Sequence, residues 1–272
     1  MTDNYRHGGP IVLLTDFGVS DPFAGQMKGV ISGIAPGVRI IDLCHEVPPL
    51  NVTVAAMFLK GSWRYFPPGS IYVVVVDPGV GTERSAIIIG AQDRLFVGPD
   101  NGCLTPATEG STGWEAVRIE NPAYLLPEIS LTFHGRDIFA PVAAHLANRV
   151  PLSEFGPRIE SLVPIDTPAP ELKGNVVQGE IVYIDHFGNA WTNISKHFLQ
   201  EIGWLEHGPR MVFNVASCKV KGLKKTYLCD QPNKPIALIN SFDLVEIAWP
   251  GDSAEKKMRL WQGVWVDLML QK

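Results

Sequence analysis

The sequence predicts an α/β fold: a layered N-terminal domain with a mainly parallel sheet, followed by a smaller β-rich domain. In the first half of the chain, apolar runs of strand length alternate with segments whose small and apolar residues recur at helical spacing. In the final third, only short strand-like runs separated by turn residues remain. The 272 residues are enough for one large domain or for a medium and a small one.

The segments of the first half predict an alternating order of elements. Residues 70–77 end in four valines and an aspartate, and this continuous apolar run indicates a strand covered on both faces. The expected strands are 11–18, 38–47, 70–77, 85–91 and 94–102, and the expected helices are 24–35, 52–66 and 137–149.

A proline-rich segment predicts the boundary between the domains. Five prolines fall within twenty residues, a density that no helix or central strand tolerates: Pro151, Pro157, Pro164, Pro168 and Pro170. After them the short strands begin, with a single helical turn expected near residues 196–202. We therefore predict an N-terminal domain over residues 1–165, a linker over 166–174 and a C-terminal β domain over 175–272.

Composition and motifs exclude several classes of function. The net charge is −5 and the basic runs are short, so we expect no nucleic-acid partner. The apolar runs are shorter than a membrane span, so no membrane partner is expected. The four cysteines form no CxxC pair and no signal peptide precedes them, which indicates reduced thiols in the cytoplasm. No phosphate-binding glycine motif and no metal-ligand spacing is present, so we expect neither a phosphate-bearing cofactor nor a metal.

Three acidic segments follow strands of the predicted sheet. They are TDFG with Asp16, VDPGVGTER with Asp77, and GPDNG with Asp100 and Asn101. Ligands bind beyond the carboxyl ends of strands in such sheets, so the three segments are expected to converge on one rim. One aspartate after a strand is more often a cap or a turn residue, but three together favour a site.

The loop DPGVGTE joins Asp77 to Arg84 and is rich in turn residues. It predicts that the guanidinium folds back beside the carboxylate. This pair is either a structural ion pair or a fixed pair of charges that orients a small polar reactant. His134, in the segment TFHGRD before a helix, is a candidate third member, and Gly135 beside it favours a pocket wall.

The second domain contains a polar hairpin, IDHFGNAWTNI, at residues 184–194. Its aspartate, amides and aromatic rings exceed what a turn needs. They indicate a recognition loop in which rings stack on a flat ligand, amides bind its edge and a carboxylate binds an amine. A polar hairpin with no ligand is the alternative. The segment INS adds Asn240 and Ser241 before a strand.

Six motifs in this order, TDFG, VVDPGVGTER, GPDNG, TFHGRD, IDHFGNAWTNI and INS…EIA, resemble the S-adenosyl-L-methionine (SAM) hydroxide adenosyltransferases. These enzymes are related to the fluorinating and chlorinating SAM enzymes. The resemblance spans about residues 10–268. It implies an N-terminal α/β domain, a C-terminal β-barrel-like domain, and a homotrimer with active sites shared between neighbouring subunits.

The resemblance also implies roles for particular residues. Asp77, Arg84 and His134 match the residues that handle water in the hydrolase branch. The residues implied to bind the substrate are Asp16 for the ribose hydroxyls, Asp185 for the methionine amine, Asn189 for the adenine edge and Ser241 for the methionine carboxylate. The implied reaction is the hydrolysis of SAM to adenosine and L-methionine by water attacking the ribose 5′ carbon, with SAM as substrate and no cofactor.

Three alternatives remain at this point. A SAM halogenase is disfavoured, because the resemblance implies that this branch carries other residues at the positions of Asp77 and His134 and can carry a halide-contacting serine at the position of Gly135. A SAM- or nucleoside-binding protein without turnover would not need the Asp-Arg-His set. A metal-dependent hydrolase would use Asp16, Asp100 and His134.

Overall fold

The computed structural model describes residues 8–111, 113–228 and 233–271. The chain divides into two compact units, Met1–Asp166 and Thr167–Lys272, which we call the N-terminal and C-terminal units. No helix within the described residues is long and apolar enough to cross a bilayer. Cys44, Cys103 and Cys218 form no disulfide, and Cys229 lies outside the described residues.

The N-terminal unit alternates strands and helices in its first half. Its strands are β1 Ile11–Thr15, β2 Ile40–Cys44, β3 Ile71–Val75, β4 Ala86–Ala91, β5 Arg94–Pro99, β6 Trp114–Arg118 and β7 Arg158–Ile159. Its helices are α1 Phe23–Ile34, α2 Val52–Ser62 and α3 Ala140–Ala147, the last preceded by a π-helical turn at Gly135–Phe139. Short 3₁₀ segments lie at Trp63–Tyr65, Thr105–Ala107, Pro122–Tyr124 and Leu152–Glu154.

The seven strands form one sheet in the order β2-β1-β3-β5-β4-β6-β7. Strands β2, β1, β3 and β5 are parallel, which confirms the predicted parallel sheet, whereas β4, β6 and β7 add antiparallel pairs. The antiparallel part begins at the turn of Gln92 and Asp93, both at positive φ (55° and 56°). A two-residue turn of this kind joins only antiparallel neighbours, so β4 and β5 form a hairpin.

The core of this unit lies between the sheet and its helices. Every residue of β1, β3 and β4 is buried, as the continuous apolar runs predict. Helix α1 buries Ala24, Met27 and Ile31, which lie on one helical face. Because the parallel strands all end at the same edge, the segments after β1, β2, β3 and β5 are brought together there.

The C-terminal unit is a nearly closed, barrel-like sheet, antiparallel except for the pair β13 and β14, which confirms the predicted fold class. Its strands are β8 Glu171–Lys173, β9 Val176–Ile184, β10 Ala190–Ser195, β11 Met211–Val215, β12 Cys218–Lys221, β13 Leu223–Lys224, β14 Ile236–Ile239, β15 Leu244–Ala248 and β16 Trp265–Leu270. Two short helices, α4 Lys196–Glu201 and α5 Ala254–Met258, and a 3₁₀ segment, Leu205–Arg210, complete it. The strand order is β12-β11-β16-β9-β10-β15-β14-β13, with β8 paired to β9.

The segment predicted as a linker, residues 166–174, is not wholly irregular. Its last part forms β8, which pairs antiparallel with β9 through the turn at Gly174 (φ 61°). All three residues of β8 are exposed, so it is an edge strand that follows directly after the prolines. The domain bounds 1–165 and 175–272 remain predictions.

Candidate active site

The loop after β3 is shaped by turns that return the chain toward its own strand. The amide of Val80 donates to the carbonyl of Asp77 (3.2 Å), and that of Thr82 donates to the carbonyl of Gly79 (3.1 Å). Gly81 has a φ of 77°, and a Cβ there would lie 2.4 Å from the carbonyl oxygen of Leu131. A glycine is therefore required at this position, and the loop ends with Arg84 facing the carboxylate that began it.

Asp77 and Arg84 form a bidentate ion pair. Arg84 Nε lies 2.9 Å from Oδ1 and 3.0 Å from Oδ2 of Asp77, and Nη2 lies 2.5 Å from Oδ2. The two side chains are only 6% and 11% exposed, respectively. Charge-assisted pairs with this planar geometry are strong and fix orientation, so the guanidinium is held rigidly.

His134 joins this pair from a distant part of the chain. Its Nδ1 lies 2.7 Å from Arg84 Nη2. Because a guanidinium only donates hydrogen bonds, Nδ1 must accept, and the neutral ring carries its proton on Nε2. Burial, and then the positive charge of Arg84, lower the pKa of His134 below its ordinary value. The ring is therefore neutral at pH 7 and presents an N–H donor on its other side.

The π-helical turn that follows His134 has a specific cause in the sequence. Pro141 has no N–H, so the carbonyl of Asp137 loses its α-helical partner. That carbonyl accepts instead from the amide of Leu126 (3.0 Å), and the amide of Ala140 reaches back to Gly135. π-Turns of this kind occur often at functional sites, and this one begins directly after the histidine.

Phe139, which is wholly buried, lies below the ion pair. Its ring centroid is 5.4 Å from the guanidinium carbon of Arg84, within the range of a cation–π contact. The backbone just before Asp77 is also held, because Asn101 Nδ2 donates to the carbonyl of Val76 (2.9 Å). Contacts from two other segments, at Phe139 and Asn101, thus support the ion pair.

Asp16 lies at the carboxyl end of the neighbouring strand β1. Its Oδ2 accepts from the amide of Leu50 (2.8 Å), in the segment after β2. Leu50 is 63% exposed and has a φ of 62°, an unfavourable conformation for a leucine. Within the described residues, no hydrogen bond between Asp16 and the Asp77, Arg84 and His134 set is present, so Asp16 forms a separate part of this edge.

Asp100, the third acidic residue of the predicted rim, has a structural role. Its Oδ1 accepts from the amide of Val163 (2.9 Å), which ties the proline-rich segment to the end of β5. Partial burial raises its pKa. Across residues 8–111, 113–228 and 233–271, no cluster of three or more His, Cys, Asp or Glu side chains has an arrangement that would hold a metal ion.

Gly135 is tightly surrounded rather than open. A Cβ at this position would lie 3.2 Å from the rings of Phe133 and Phe17 and 3.3 Å from the sulfur of Met27. Phe17 and Phe133 pack edge to face with centroids 5.6 Å apart. The glycine therefore allows these rings to approach the helix, whereas the sequence suggested that it leaves room in a pocket wall.

In the C-terminal unit, the recognition segment forms the turn between β9 and β10. Asp185 Oδ1 accepts from the amides of Phe187 (2.9 Å) and Asn189 (2.8 Å), and Oδ2 accepts from Asn189 Nδ2 (3.1 Å). The carboxylate therefore shapes its own turn. Phe187 is 74% exposed, and Trp191 is buried against Tyr183 and Phe242.

Ser241 lies in a different turn, between β14 and β15. The pairing of β10 with β15 brings Ala190 opposite Ile247 and Ser195 opposite Leu244. The 185–189 turn and Ser241 are therefore at opposite ends of this antiparallel pair. The contact of the Trp191 and Phe242 rings, with centroids 4.6 Å apart, connects the two ends.

Sequence reasoning missed several buried polar groups, two of which lie beside candidate site residues or carry a charge. His45 (6% exposed) bonds to Thr15 beside Asp16, and the signal was a histidine at the end of β2, in IDLCHEV, which was assigned only as a strand. Glu246 (1% exposed) accepts from Tyr227 (2.9 Å), and burial raises its pKa. The signal there was a lone charge within the apolar strand LVEIA.

Sequence models of two domains match this chain. The SAM hydroxide adenosyltransferase N-terminal domain matches residues 11–156, and the SAM hydroxide adenosyltransferase C-terminal domain matches residues 179–266. The chain belongs to the SAM hydroxide adenosyltransferase family. The two matches correspond to the two units, so family membership covers the Asp77, Arg84 and His134 set as well as the turn at Asp185.

Curated relatives of this family member include hydrolases and halogenating enzymes. An "(R)-S-adenosyl-L-methionine hydrolase" of Salinispora arenicola is 44% identical, over 66% of this chain and 70% of its own length. An enzyme of the same name from Thermus thermophilus is 35% identical, over 96% of this chain and 99% of its own length. A "Fluorinase" of Actinoplanes sp. is 31% identical, over 72% of this chain and 76% of its own length. A crystal structure of an uncharacterized conserved protein from Thermotoga maritima is 35% identical, covers 95% of this chain and 99% of its own, and has a TM-score of 0.85.

Proposed function

We propose that this protein hydrolyses SAM to adenosine and L-methionine. The observation that carries the proposal is the buried Asp77, Arg84 and His134 set, whose planar ion pair and neutral imidazole are fixed at the edge where the parallel strands end. The relatives named as SAM hydrolases and the family match support the same reaction.

The chemistry fits this set. Water attacks the ribose 5′ carbon, the bond from that carbon to the sulfonium sulfur breaks, and methionine leaves as a neutral thioether. A neutral leaving group needs no general acid, so the protein must aim the water and remove its proton. Arg84 has only donors, and Nδ1 of His134 is engaged, so the carboxylate of Asp77 is the proton acceptor in this proposal. The Nε2–H of His134 is a donor for the oxygen of the water.

We further propose that the substrate is held by both units. Asp16 would accept the ribose hydroxyls, Asp185 the methionine ammonium, Asn189 the adenine edge and Ser241 the methionine carboxylate. We also propose a homotrimer in which one subunit supplies Asp77 and its neighbour supplies Asp185, a cytoplasmic location, and a reaction that needs no cofactor. The family resemblance supports these proposals.

Incubation of the protein with SAM in oxygen-18 water, with excess chloride, tests the reaction. The expected products are adenosine labelled at the 5′ hydroxyl and L-methionine, at a rate that a chelator does not change. A 5′-halo-5′-deoxyadenosine as main product would favour the halogenase. SAM bound without turnover would indicate a binding protein, and sensitivity to the chelator would indicate a metal-dependent hydrolase.

Shared sites are tested by mixing subunits. Asp77→Ala and Asp185→Ala subunits are each expected to be inactive, whereas trimers that contain both are expected to regain part of the activity at interfaces with two intact halves. Subunit exchange is checked by native mass spectrometry. Confirmed exchange without recovered activity would contradict shared sites.

A further inference from the structure

Below the loop that follows β1, four side chains form a polar chain across α1, β2 and β1. Lys28 Nζ donates to Asp42 Oδ2 (2.6 Å), and Asp42 Oδ1 lies 3.0 Å from His45 Nε2, in a contact too bent to be a straight hydrogen bond. His45 Nδ1 lies 2.8 Å from Thr15 Oγ1. Thr15 is wholly buried and His45 is 6% exposed, so the inner end of the chain is shielded from water.

The donor and acceptor roles of these four side chains can be assigned consistently. An ammonium only donates, so Asp42 is an acceptor, and we assign the proton of His45 to Nε2, the ring nitrogen that lies 3.0 Å from Asp42. Nδ1 then carries a lone pair and accepts from the hydroxyl of Thr15, whose oxygen accepts in turn from the amide of Phe17 (3.3 Å). Although partial burial acts to raise it, the hydrogen bond from Lys28 and the nearby imidazole of His45 hold the pKa of Asp42 below its ordinary value.

The same histidine joins the loops after β1 and β2. Its carbonyl accepts from the amide of Gly18 (2.6 Å), and five residues later the amide of Leu50 donates to Asp16 Oδ2 (2.8 Å). Leu50 adopts a positive φ in making this contact, which costs about 1 kcal/mol or more. The strain is sustained because the surrounding bonds fix both loops.

We infer that His45 is a positioning residue for the carboxylate of Asp16. This inference rests on the proposed function, in which that carboxylate binds the ribose of SAM. His45 acts through Thr15, which immediately precedes Asp16, while the bond from Phe17 to Thr15 constrains the residue that follows. Both neighbours of the aspartate are therefore fixed before substrate arrives.

A role in packing alone does not explain these groups. Burying a histidine and a hydroxyl below a strand end carries a desolvation penalty that an apolar pair of the same size avoids. These polar contacts do specify one arrangement of the two loops, and a small displacement of a binding carboxylate lowers the rate of a reaction strongly. These four polar side chains thus fix the position of the Asp16 carboxylate at a cost in packing energy.

Two substitutions of His45 separate its two contacts. In His45→Asn, the side-chain amide oxygen lies near the position that Nδ1 occupies in the wild type, so an acceptor for Thr15 is kept. In His45→Gln, the amide lies near the position of Nε2, so that acceptor is lost. The measurement is kcat/KM for SAM and for its 2′-deoxyribose analogue. We expect His45→Gln to lower kcat/KM for SAM about tenfold and to reduce the preference for ribose, and His45→Asn to retain most of both.

A double-mutant cycle with Asp16→Asn shows whether the effect passes through Asp16. We expect His45→Gln to change little once the Asp16 carboxylate is gone, whereas a structural role predicts additive losses and equal effects on both substrates, and that result would overturn the inference. His145→Asn, a partly buried histidine on α3, is the matched control and should leave the ribose preference unchanged. If His45→Gln fails to fold, Thr15→Val against Thr15→Ser makes the same comparison at the hydroxyl.

The outcome is distinguishable from failure of the proposed function. If the wild-type protein releases no adenosine from SAM, the proposed function is wrong. The cycle is then measured as equilibrium affinity for adenosine and 2′-deoxyadenosine, where coupling of His45 with Asp16 supports the positioning role and additivity overturns it.

Discussion

The two candidate binding regions, one in each unit, differ in how their aspartates are held. Asp77 is bound by Arg84 at the other end of its loop, and Arg84 also contacts His134, which lies fifty residues further along the chain. Asp185 is bound by the backbone and the amide of its own five-residue turn. The first arrangement fixes charges in a buried place, and the second fixes the shape of a turn whose tip, His186 and Phe187, is exposed. Under the proposed function, the first arrangement orients the reacting groups and the second presents a binding surface to the substrate.

Arg84→Lys is expected to have the largest effect. A lysine keeps the charge but cannot bind Asp77 through two atoms and His134 at the same time. We expect kcat to fall about a hundredfold or more with little change in KM, measured by adenosine release.

Arg94→Lys is the control for this experiment. Arg94 also uses its guanidinium in two directions, toward the carbonyls of Gln92 and Phe66, but it lies outside the candidate site. The Arg94→Lys substitution should reduce the melting temperature and leave kcat close to that of the wild type. Equal kcat values for the two variants would show that the planar pair with Asp77 is only structural.

The pair of variants Asp185→Asn and Asp185→Ala sharpens the comparison for the C-terminal unit. Asparagine keeps an oxygen for the amides of Phe187 and Asn189, so the turn should keep its shape while losing its charge. If the carboxylate binds the methionine ammonium, Asp185→Asn raises KM about tenfold at an unchanged melting temperature. An Asn variant that behaves like the wild type, with a damaged Ala variant, would limit Asp185 to shaping the turn.

Gly135→Ser tests the halogenase reading with a moderate effect. The new Cβ would lie 3.2–3.3 Å from Phe133, Phe17 and Met27, so these neighbours must shift by a few tenths of an ångström. We expect a destabilisation of about 1–2 kcal/mol in urea unfolding and a modest loss of turnover. No halogenated nucleoside should form in chloride, and its formation would reverse the assignment.

The smallest expected effect is that of pH. Because the pKa of His134 is lowered in the folded protein, the unfolded chain binds a proton first as pH falls. Stability should therefore decline as pH drops below about 6.5, the ordinary value for histidine. As pH is lowered, the decrease in kcat/KM should also begin below that value. His134→Asn should remove this part of the pH dependence of stability, and an unchanged profile would assign it to another group.

Much of the fold follows from local pattern. The buried runs of β1, β3 and β4 predict strands inside a covered sheet, because a continuous apolar run has no solvated face. The contact of Arg84 with Asp77 also follows from the sequence, since seven residues rich in turn formers leave the side chain little distance to cover. The antiparallel part of the sheet was missed, because strand pairing is set by contacts across the whole layer.

Other features were decided only by the tertiary structure. His134 meets Arg84, and Asp100 meets Val163, across fifty and sixty-three residues, distances at which sequence spacing carries no geometric information. His45 reaches Thr15 because β1 and β2 are adjacent parallel strands, and no local motif states that adjacency. Asp185 and Ser241 are both polar turn residues, and each precedes a strand of the β10–β15 pair. They lie at opposite ends of this pair because antiparallel pairing places the first residue of one strand beside the last residue of the other.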